Sequence, residues 1–554
     1  MIGKKLYHKK NLQEDKKILE YIRQKYPEDY DAILKEDESW SVQLRLSPMR
    51  ASLLEWYPFE EDANVLEVGG AFGELTHVLC EKCTRVLSVE RDFIRVQAIR
   101  SRCRNNRNLT VCSCDIMDIR PERNYDYVLA AGILESQGIL SKNLNDYADF
   151  IKRLCAFLKP SGKLLLTCQN RMGIRYLCGE PDRKTGIPFD GVNRYPVDHG
   201  LSGFTKKELE IILEKAGIRN YRFYYPLPDD QMVQAIYAQH NLPKDSVKDR
   251  VIPYYQDRYT AVASQSDLMD FCTESGCLDV FANSFFVECV PEGGACTDIH
   301  SVLFTTDRGK AAAMATIHRG NFMYKKALHP QGVKALKRAA DHAEDLKCHG
   351  IAVVPHDRMA DGQIRMPYME LPLLLSVLRK AAVEDVPFFG RLLDQVWQDI
   401  CSSSEEADGT QHPLRQQWSD EDWGIFLKNV YFDMVPMNCF YETGRIVYFD
   451  QEFVRHVYPA KYTMFRVLLY TYLHIPQAEE ATPKAAMLCR YGISNVMWDV
   501  FFQEEAAFVS SLRKHQVFRR FHEMSRVSYE EMRTNAEKLV QKDTKKCSGS
   551  KEEL

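Results

Sequence analysis

The sequence predicts an α/β fold in which a Rossmann-like, mostly parallel sheet is followed by an α+β domain and a helical tail. Three observations support this prediction. A short apolar run at 65–68 leads into a glycine-rich turn and a helical pattern, further apolar runs recur at helix-length intervals, and several of these runs end in an acidic residue. Because the carboxyl ends of parallel strands meet at one edge of a sheet, these acids are expected to face one crevice.

The glycine-rich turn after the first strand is the first candidate ligand site. Glu67 lies within that strand, and a helical pattern runs from Glu74 to Cys80. Glycine tolerates positive φ and has no Cβ, so a nucleotide-like cofactor can approach the backbone closely. The turn lacks a phosphate-binding lysine, which argues against a nucleoside triphosphate here. Its candidate cofactor-binding residues are Gly69, Gly70, Ala71 and Gly73.

Two more acids end the next predicted strands. Glu90 ends the run 85–90, and Asp115 follows the run 109–114. A carboxylate in the first of these positions can accept hydrogen bonds from both hydroxyls of a ribose. Residues 125–129 and 163–167 are predicted to form the fourth and fifth strands.

This order of an acid, a glycine-rich turn and two further strand-end acids resembles the class I S-adenosylmethionine-dependent methyltransferases. The resemblance implies a seven-stranded sheet with S-adenosylmethionine as cofactor. It also implies that the turn faces the methionine part, Glu90 binds the ribose and Asp115 binds the adenine amine. Ala71 departs from the family, which usually has its middle glycine there.

Length and composition limit the alternatives. A chain of 554 residues is too long for one core, and a net charge of −4 does not predict nucleic-acid binding. No apolar run is long enough to cross a membrane and no signal peptide begins the chain, so a cytoplasmic location with reduced thiols is expected for the 17 cysteines. The predicted parts are a helical extension at 1–43, a methyltransferase domain at 44–292, a second domain at 293–475 and a helical tail with a disordered end at 476–554.

Three further stretches concern the acceptor. They are Leu46-Ser47-Pro48-Met49-Arg50, the polar loop that begins at Gln169, and Phe223-Tyr224-Tyr225-Pro226-Leu227-Pro228-Asp229. Together they resemble bacterial methyltransferases associated with glycosyltransferases in capsule and lipopolysaccharide biosynthesis. The resemblance implies a glycan or sugar-phosphate acceptor, with glycosyltransferases of the same pathway as partners. That group has an acid-histidine pair where this chain has Arg183-Lys184.

The sequence leaves two interpretations of the acceptor chemistry open. A sugar hydroxyl must lose its proton as the new bond forms, and His199 is the candidate general base. An ionised phosphate needs no base, and Arg171, Arg175 and Lys184 are candidates to pair with such an anion.

The rest of the first domain is predicted from local patterns. Thr205 and Glu208 form a capping box at the start of a helix. Strands at 222–227 and 280–289 are expected to complete the sheet as its antiparallel edge, with a helical insertion at 230–275 covering the acceptor.

The second domain contains an acid, an asparagine five residues later and a strand that ends in another acid. This pattern resembles the core of protein-kinase-like and aminoglycoside-phosphotransferase-like folds. The resemblance implies Asp433 as the base, Asn438 and Asp450 as magnesium ligands, and Lys325 as the ATP-phosphate lysine with Glu344 as its helix partner. It also implies a hinge between lobes at 366–370.

An active and an inactive kinase-like domain both remain open. The stretch 305–310 has one glycine and no glycine-rich loop, and Tyr431 replaces the usual histidine. The order of the two domains resembles bifunctional enzymes that phosphorylate and methylate the end of O-antigen chains. Two alternatives to a glycan methyltransferase are a small-metabolite methyltransferase with a regulatory second domain and a non-catalytic scaffold for glycan assembly.

The tail contains a basic amphipathic pattern. Phe508, Leu512, Phe518, Phe521 and Met524 lie among arginines and lysines. Packing onto the second domain is the expected role of this face, and docking on an anionic membrane surface or another subunit is the alternative.

Overall fold

A computed structural model describes residues 2–24, 30–135, 142–195, 200–244, 246–248, 250–305, 307–514 and 516–549. The chain divides into two compact units. Unit 1 comprises residues 1–306 and 515–554, and unit 2 comprises residues 307–514. The boundary after residue 306 therefore lies further along the chain than the predicted boundary after residue 292. The predicted tail, residues 476–554, is divided between the two units.

In the part of the chain that the structure describes, unit 1 is built on nine strands of one sheet. Their bounds are β1 Asn64–Val68, β2 Arg85–Glu90, β3 Leu109–Ser113, β4 Tyr125–Ala131, β5 Leu158–Gln169, β6 Asn220–Leu227, β7 Ala235–Ala238, β8 Ser284–Val290 and β9 Ile299–Phe304. Within this unit the order is β9-β7-β6-β8-β5-β4-β1-β2-β3. Strands β1 to β5 pair in parallel, and β8 pairs antiparallel with both β5 and β6. The Rossmann-like sheet is confirmed, and the carboxyl ends of β1 to β6 lie at one edge.

Two details of the predicted sheet are wrong. The antiparallel strand β8 is interior, and all of its residues are buried. Residues 230–275 are not a helical insertion, because their described part contains β7, irregular segments and one helix, Gln265–Glu274. The run 235–238 is buried at every position and extends the sheet beyond β6, with β9 beside it. Pro243 and Pro253 disfavour a long helix in the segment between.

The helices of unit 1 before residue 306 follow the expected alternation with strands. They are α1 Ile2–Gln24, α2 Asp31–Glu36, α3 Trp40–Leu46, α4 Ser52–Glu55, α5 Glu74–Lys82, α6 Phe93–Arg102, α7 Leu144–Cys155, α8 Ile174–Leu177, α9 Lys206–Lys215, α10 Gln265–Glu274 and α11 Leu278–Phe281. The predicted capping box of Thr205 and Glu208 is confirmed at the start of α9. Ile18, Leu19 and Ile22 of α1 belong to one buried cluster with Phe72, so the amino-terminal extension packs against the glycine-rich turn.

Unit 2 contains a small sheet, two strand pairs and a helical part. The strands are β10 Met314–Arg319, β11 Phe322–Ala327, β12 Asp357–Arg358, β13 Ile364–Pro367, β14 Phe426–Tyr431, β15 Cys439–Glu442, β16 Arg445–Tyr448 and β17 Val454–Pro459. Within the unit the order is β12-β13-β11-β10, with separate pairs β14-β17 and β15-β16. The helices are α12 Val333–Cys348, α13 Leu374–Glu384, α14 Val386–Ser402, α15 Pro413–Gln417, α16 Lys461–His474, α17 Ala478–Ala481, α18 Lys484–Arg490 and α19 Asn495–Leu512.

The last two helices belong to unit 1. They are α20 Arg519–Ser525 and α21 Tyr529–Gly549. Phe518 and Phe521 are buried with residues of α1, which corrects the prediction for this end of the apolar face, whereas Phe508 packs against the core of unit 2 as predicted. Helix α21 also extends to Gly549, into the stretch predicted to be disordered. Among the described residues, no helix is both long and apolar enough to span a bilayer.

Candidate active site

The turn between β1 and α5 is shaped by left-handed backbone. Gly69 and Gly73 have φ of 77° and 83°, and Ala71 has φ of 47°. A Cβ on Gly69 would lie 2.0 Å from Cδ1 of Ile133, so a larger residue would displace that side chain and would also be strained by the positive φ. Ala71 therefore adopts the conformation that the missing glycine would take, at a cost of about 1 kcal/mol. The residue that departs from the family pattern is thus itself left-handed in this turn.

Glu67 lies behind this turn. Its Oε2 accepts hydrogen bonds of 2.6 Å from both Thr76 Oγ1 and Ser88 Oγ. A Cβ on Gly70 would approach this same Oε2 to 2.7 Å, so the carboxyl supports the turn from within. Burial raises the pKa of Glu67 to about 7, although the two hydroxyl groups lower it.

The protonation of Glu67 makes the stability of unit 1 depend on pH. Because the folded pKa lies above the unfolded value, wild-type stability falls as pH rises from about 4.5 to 7. A shift of this size corresponds to roughly 3 kcal/mol. We expect Glu67→Gln, which can still accept both hydroxyl bonds, to raise the thermal midpoint of unit 1 at pH 8 and to change it little at pH 4.5. Thermal unfolding of the wild type and the variant at the two pH values measures this change in midpoint. An equal change at both pH values would contradict the prediction.

Glu90 closes the turn from the end of β2. Its Oε2 accepts from Ala71 N at 3.2 Å, and its Oε1 accepts from Asp92 N at 3.0 Å. The residue is 8% exposed. Each carboxylate oxygen has a further lone pair, so Glu90 can still accept the two hydroxyls of a ribose.

Asp115 lies at the end of β3, at the same edge of the sheet. Its Oδ1 accepts from Met117 N at 2.9 Å, which caps a short 3-10 helix at Ile116–Asp118. Its Oδ2 lies 3.2 Å from Arg91 Nη1. The structure thus places Glu67, Glu90 and Asp115 at the ends of β1, β2 and β3, in the order predicted from the sequence.

Glu135 follows β4 and was missed by the sequence analysis. Its Oε1 accepts from Gln169 N at 3.1 Å, whereas its buried Oε2 has no hydrogen-bond partner among the described residues. Burial raises the pKa of Glu135 to about 7; Asp230 raises it further and Arg183 lowers it. Gly132-Ile133-Leu134-Glu135 is another apolar run ending in an acid, so the rule that identified Glu90 would also have identified Glu135.

Two of the three acceptor stretches are joined by a buried aspartate. Ser47 Oγ accepts from Met49 N at 3.2 Å and starts the short 3-10 helix Pro48–Arg50. Arg50 Nη1 lies 3.2 Å from Oδ2 of Asp230 and also donates to its carbonyl oxygen. Gln169 Nε2 donates to Oδ1 of the same aspartate at 2.7 Å. Segments far apart in sequence are thus fixed beside Glu135.

The neighbouring Asp229 is fully paired. Arg175 donates to its Oδ2, and Tyr254 OH donates to the same oxygen at 2.7 Å. Arg175 is completely buried, and Glu180 lies 3.8 Å from its Nη1. The predicted role of Arg175 in pairing with an anionic acceptor is therefore not supported by its surroundings, because its charge is compensated inside the protein.

The other acceptor candidates are placed as follows. Arg171 forms two hydrogen bonds with Glu208, of 2.9 and 3.0 Å, and donates to Gly191 O at 3.0 Å. Lys184 is exposed. His199 lies outside the described residues. Arg183, in the predicted Arg-Lys pair, lies 3.9 Å from Asp229.

Unit 2 has its own cluster of charged residues. Lys325 of β11 pairs with Asp450 and with Glu452, and Arg308 pairs with Glu452 at 2.7 Å. Asp450 has a left-handed φ of 60°. The predicted pair of Lys325 with Glu344 is not formed, because Glu344 is half exposed and lies near Lys347 and His356.

Asp433 is buried beside this cluster. Its Oδ2 accepts from the backbone N–H groups of Glu452 and Phe453 at 2.9 and 3.1 Å. Burial raises the pKa of Asp433, while Arg466, 3.7 Å from its Oδ1, lowers it. Asn438 ends a short 3-10 helix, and its carbonyl accepts from Phe449 N at 2.9 Å. The structure thus brings Asp433 beside the segment of Asp450 and Glu452, with which Lys325 of β11 pairs.

Comparisons with known proteins agree with this fold for part of the chain. Residues 42–222 match a family described as "Methyltransferase domain". No curated protein matches the chain. Among solved structures, the N-methyltransferase NodS from Bradyrhizobium japonicum is 13% identical, covers 44% of this chain and 94% of its own, and has a TM-score of 0.26.

Another similar structure is phosphoethanolamine N-methyltransferase 1 from Haemonchus contortus, in complex with phosphoethanolamine and S-adenosylhomocysteine. It is 15% identical, covers 51% of this chain and 49% of its own, and has a TM-score of 0.28. Likenesses of this degree carry no argument about the acceptor. The family match agrees with the strand order and the strand-end acids of unit 1. Residues 42–222 therefore belong to a Rossmann-like methyltransferase domain.

Proposed function

We propose that unit 1 transfers the methyl group of S-adenosylmethionine to a hydroxyl group of a glycan or glycan precursor, with Glu135 as the general base. The observation that carries this proposal is the buried carboxyl of Glu135, whose pKa is about 7 and whose Oε2 has no partner among the described residues. A base with a pKa near neutrality combines a large ionised fraction with a useful affinity for the proton.

The turn can accommodate S-adenosylmethionine against its backbone, because Gly69 and Gly73 adopt left-handed conformations and carry no side chain. Glu90 would hold the ribose and Asp115 the adenine amine. When bound, the cofactor supplies an electrophilic methyl group on a sulfonium. The protein's own residues must orient the acceptor and exclude water.

The ionisable residues Glu135, Arg171 and Arg175 are more consistent with a hydroxyl group as the nucleophile than with a phosphate oxygen. The oxygen of a phosphate is already anionic and needs no base, yet a neutral-range carboxyl lies at the end of β4. Arg171 and Arg175, the cations proposed for an anionic nucleophile, are paired with Glu208 and Asp229. Beside Glu135, Oε1 of Gln169 has no hydrogen-bond partner among the described residues and can bind a further hydroxyl of a polyhydroxylated acceptor.

The proposal is tested by following the methyl group. The full chain is incubated with methyl-labelled S-adenosylmethionine and three acceptor sets: a cell-derived polysaccharide fraction, sugar 1-phosphates with neutral methyl glycosides, and small primary amines. Methyl ethers on a carbohydrate support the proposal. Transfer confined to amines, or to other small metabolites, would favour the small-metabolite alternative. Cofactor binding without transfer to any set would favour the scaffold.

For unit 2 we propose a magnesium–nucleotide site in which Lys325 and Asp450 take part. The specific observation is the Lys325–Asp450 pair, in which Asp450 is held in a left-handed conformation. Asp433 is less suited to act as a base, because backbone N–H groups and Arg466 already stabilise its carboxyl. We expect saturable binding of ATP with magnesium that Asp450→Asn weakens at least tenfold, measured by calorimetry. Equal affinity in the two proteins would overturn the assignment.

A further inference from the structure

The connection between β3 and β4 leaves part of the sheet uncovered. Helices join the other consecutive parallel strands, with α5 between β1 and β2, α6 between β2 and β3, and α7 between β4 and β5. The connection 114–124 is described throughout, and its only helix is the short 3-10 helix Ile116–Asp118. Parallel sheets are normally covered on both faces by crossover helices. The short connection therefore leaves one face of β2 and β3 accessible.

A cleft of about 780 Å³ lies at this accessible part of the sheet. It is lined by residues at or near the starts of β1 to β4, namely 64–65, 84–87, 107–108, 110 and 124–125. Leu87 is half-buried, and Thr110, its partner in the pair of β2 with β3, is exposed. A cleft of this size is in the usual range of ligand sites.

The cleft is separate from the candidate cofactor site. It lies at the amino ends of the parallel strands, whereas Glu90, Asp115 and the glycine-rich turn lie at their carboxyl ends. The five residues of β1 alone span about 17 Å. A ligand in the cleft can therefore bind at the same time as the cofactor.

Two arginines give the cleft a positive charge. Arg85 and Arg107 line it, and both are exposed. No acidic partner of either arginine is found in the described part of the chain, and the lining residues include no carboxylate. The nearby Asp126 accepts from Asn64 N, and Lys159 compensates its charge at 2.7 Å. An anionic group is therefore the expected ligand of these arginines.

Two asparagines of the cleft offer hydrogen-bond acceptors. Nδ2 of Asn108 donates to two backbone carbonyl oxygens, at 2.8 and 2.9 Å. Nδ2 of Asn124 donates to Oε2 of Glu122 at 2.9 Å. Because carbonyls and carboxylates only accept, these contacts fix which end of each amide is the nitrogen. The two Oδ1 atoms accept from none of the described residues, so they are available to hydroxyl groups of a ligand.

We propose that this cleft binds an anionic sugar chain, as a second contact for the glycan that unit 1 methylates. The inference rests on the proposed function and adds a binding site for a long acceptor. The arginines match the charge of the chain, the amide oxygens accept from its hydroxyls, and the half-buried Leu87 and Tyr125 provide the apolar part of the surface. The charged side chains of an acidic peptide only accept hydrogen bonds, so they leave the amide oxygens without donors.

A second contact would favour long acceptors over short ones. A chain held in the cleft has a raised effective concentration at the candidate active site, provided that it is long enough to reach both. The cleft does not touch the reacting groups. It should therefore lower the KM for a long acceptor and leave kcat unchanged.

The test compares three fluorescent polymers of equal length in binding to the full chain, by anisotropy at physiological ionic strength. Polygalacturonate carries hydroxyls and carboxylates, dextran carries only hydroxyls, and poly-L-glutamate carries the carboxylates without hydroxyls. We expect polygalacturonate to bind at least tenfold more tightly than either of the other two.

Variants locate this binding. The double variant Arg85→Ala, Arg107→Ala should weaken the binding of polygalacturonate at least tenfold. Arg219→Ala is the matched control, because Arg219 is an exposed arginine just before β6, three strands away from β4. The affinity for S-adenosylmethionine should be the same in all of these proteins, which reports that unit 1 remains folded.

The other outcomes would overturn the inference. Equal affinity of polygalacturonate for the wild type and the double variant would exclude the cleft. Equally tight binding of poly-L-glutamate would indicate an acidic protein segment as the ligand, and equally tight binding of dextran would show that charge has no part.

A failure of the cleft is distinguishable from a failure of the proposed function, because the binding assay needs no methyl transfer. If carbohydrates are methylated but the double variant binds polygalacturonate as the wild type does, only the cleft is wrong. If the cleft binds polygalacturonate and no carbohydrate is methylated, only the proposed function is wrong.

Discussion

Glu135→Gln is expected to lower the rate of methyl transfer by about 100-fold to 10,000-fold, the usual contribution of a general base. The glutamine oxygen can still accept from Gln169 N, so the fold around β4 and β5 should be kept. The affinity for S-adenosylmethionine should change little, because Glu135 lies beyond the turn and not in it. The measurement is single-turnover transfer to a carbohydrate acceptor, with cofactor binding determined in parallel.

The pH dependence makes this prediction sharper. The base must be ionised, so the wild-type rate should rise with pH up to about 7 and then level off. Glu67 has the same pKa of about 7 but faces Ser88 and Thr76 inside the protein. The inflection should therefore persist in Glu67→Gln and disappear in Glu135→Gln. If the inflection disappears only in Glu67→Gln, the group that titrates is Glu67, which supports the turn, and not Glu135.

The parts of unit 1 predicted from the sequence are those that local patterns specify. The turn at 69–73, the strand-end acids and the capping box of α9 each depend on residues close together in sequence, and all lie where the patterns place them. The acceptor side depends on pairs far apart. Arg50 and Asp230 are separated by 180 positions, and nothing near either residue indicates the other.

The errors have a common physical origin. The sequence suggests that Arg171 and Arg175 are available to bind an acceptor. Their partners, Glu208 and Asp229, come close to them only when the chain folds. Glu344 lies on helix α12, but its side chain faces His356 and Lys347. Lys325 pairs with Asp450 instead. Helical periodicity predicts which residues are neighbours on one element, and it does not predict which face of that element meets another.

The tail shows the same limit at a larger scale. The apolar pattern around Phe518 and Phe521 correctly indicates a buried face. Its partners are α1 and the loop of Phe72, more than 400 residues earlier in the chain. The two ends of the chain thus form one core behind the cofactor turn. Residues near both termini consequently belong to the support of the candidate site.

Glu90→Ala should abolish measurable binding of S-adenosylmethionine. In the proposed site the substitution removes the acceptor of both ribose hydroxyls. Each charge-assisted hydrogen bond contributes about 1.5–3 kcal/mol, so the affinity should fall by roughly 100-fold to 10,000-fold. It also removes the acceptor of Ala71 N, which loosens the turn. Asp115→Ala should have a smaller effect, because one adenine contact is lost. Calorimetric titration of the full-length variants measures both affinities.

Two controls separate ligand binding from folding. Asp92→Asn removes a negative charge two residues from Glu90, but an asparagine can still cap α6 through the bonds that Asp92 Oδ1 accepts from Ile94 and Arg95, so its cofactor affinity should stay near wild type. Binding of ATP with magnesium by Glu90→Ala, where the wild type shows it, reports that unit 2 remains folded. Because unit 1 has its own buried clusters, loss of the ribose contact should not spread to unit 2. If Glu90→Ala binds the cofactor as tightly as Asp92→Asn does, the ribose is held elsewhere along the edge formed by the ends of β1 to β6.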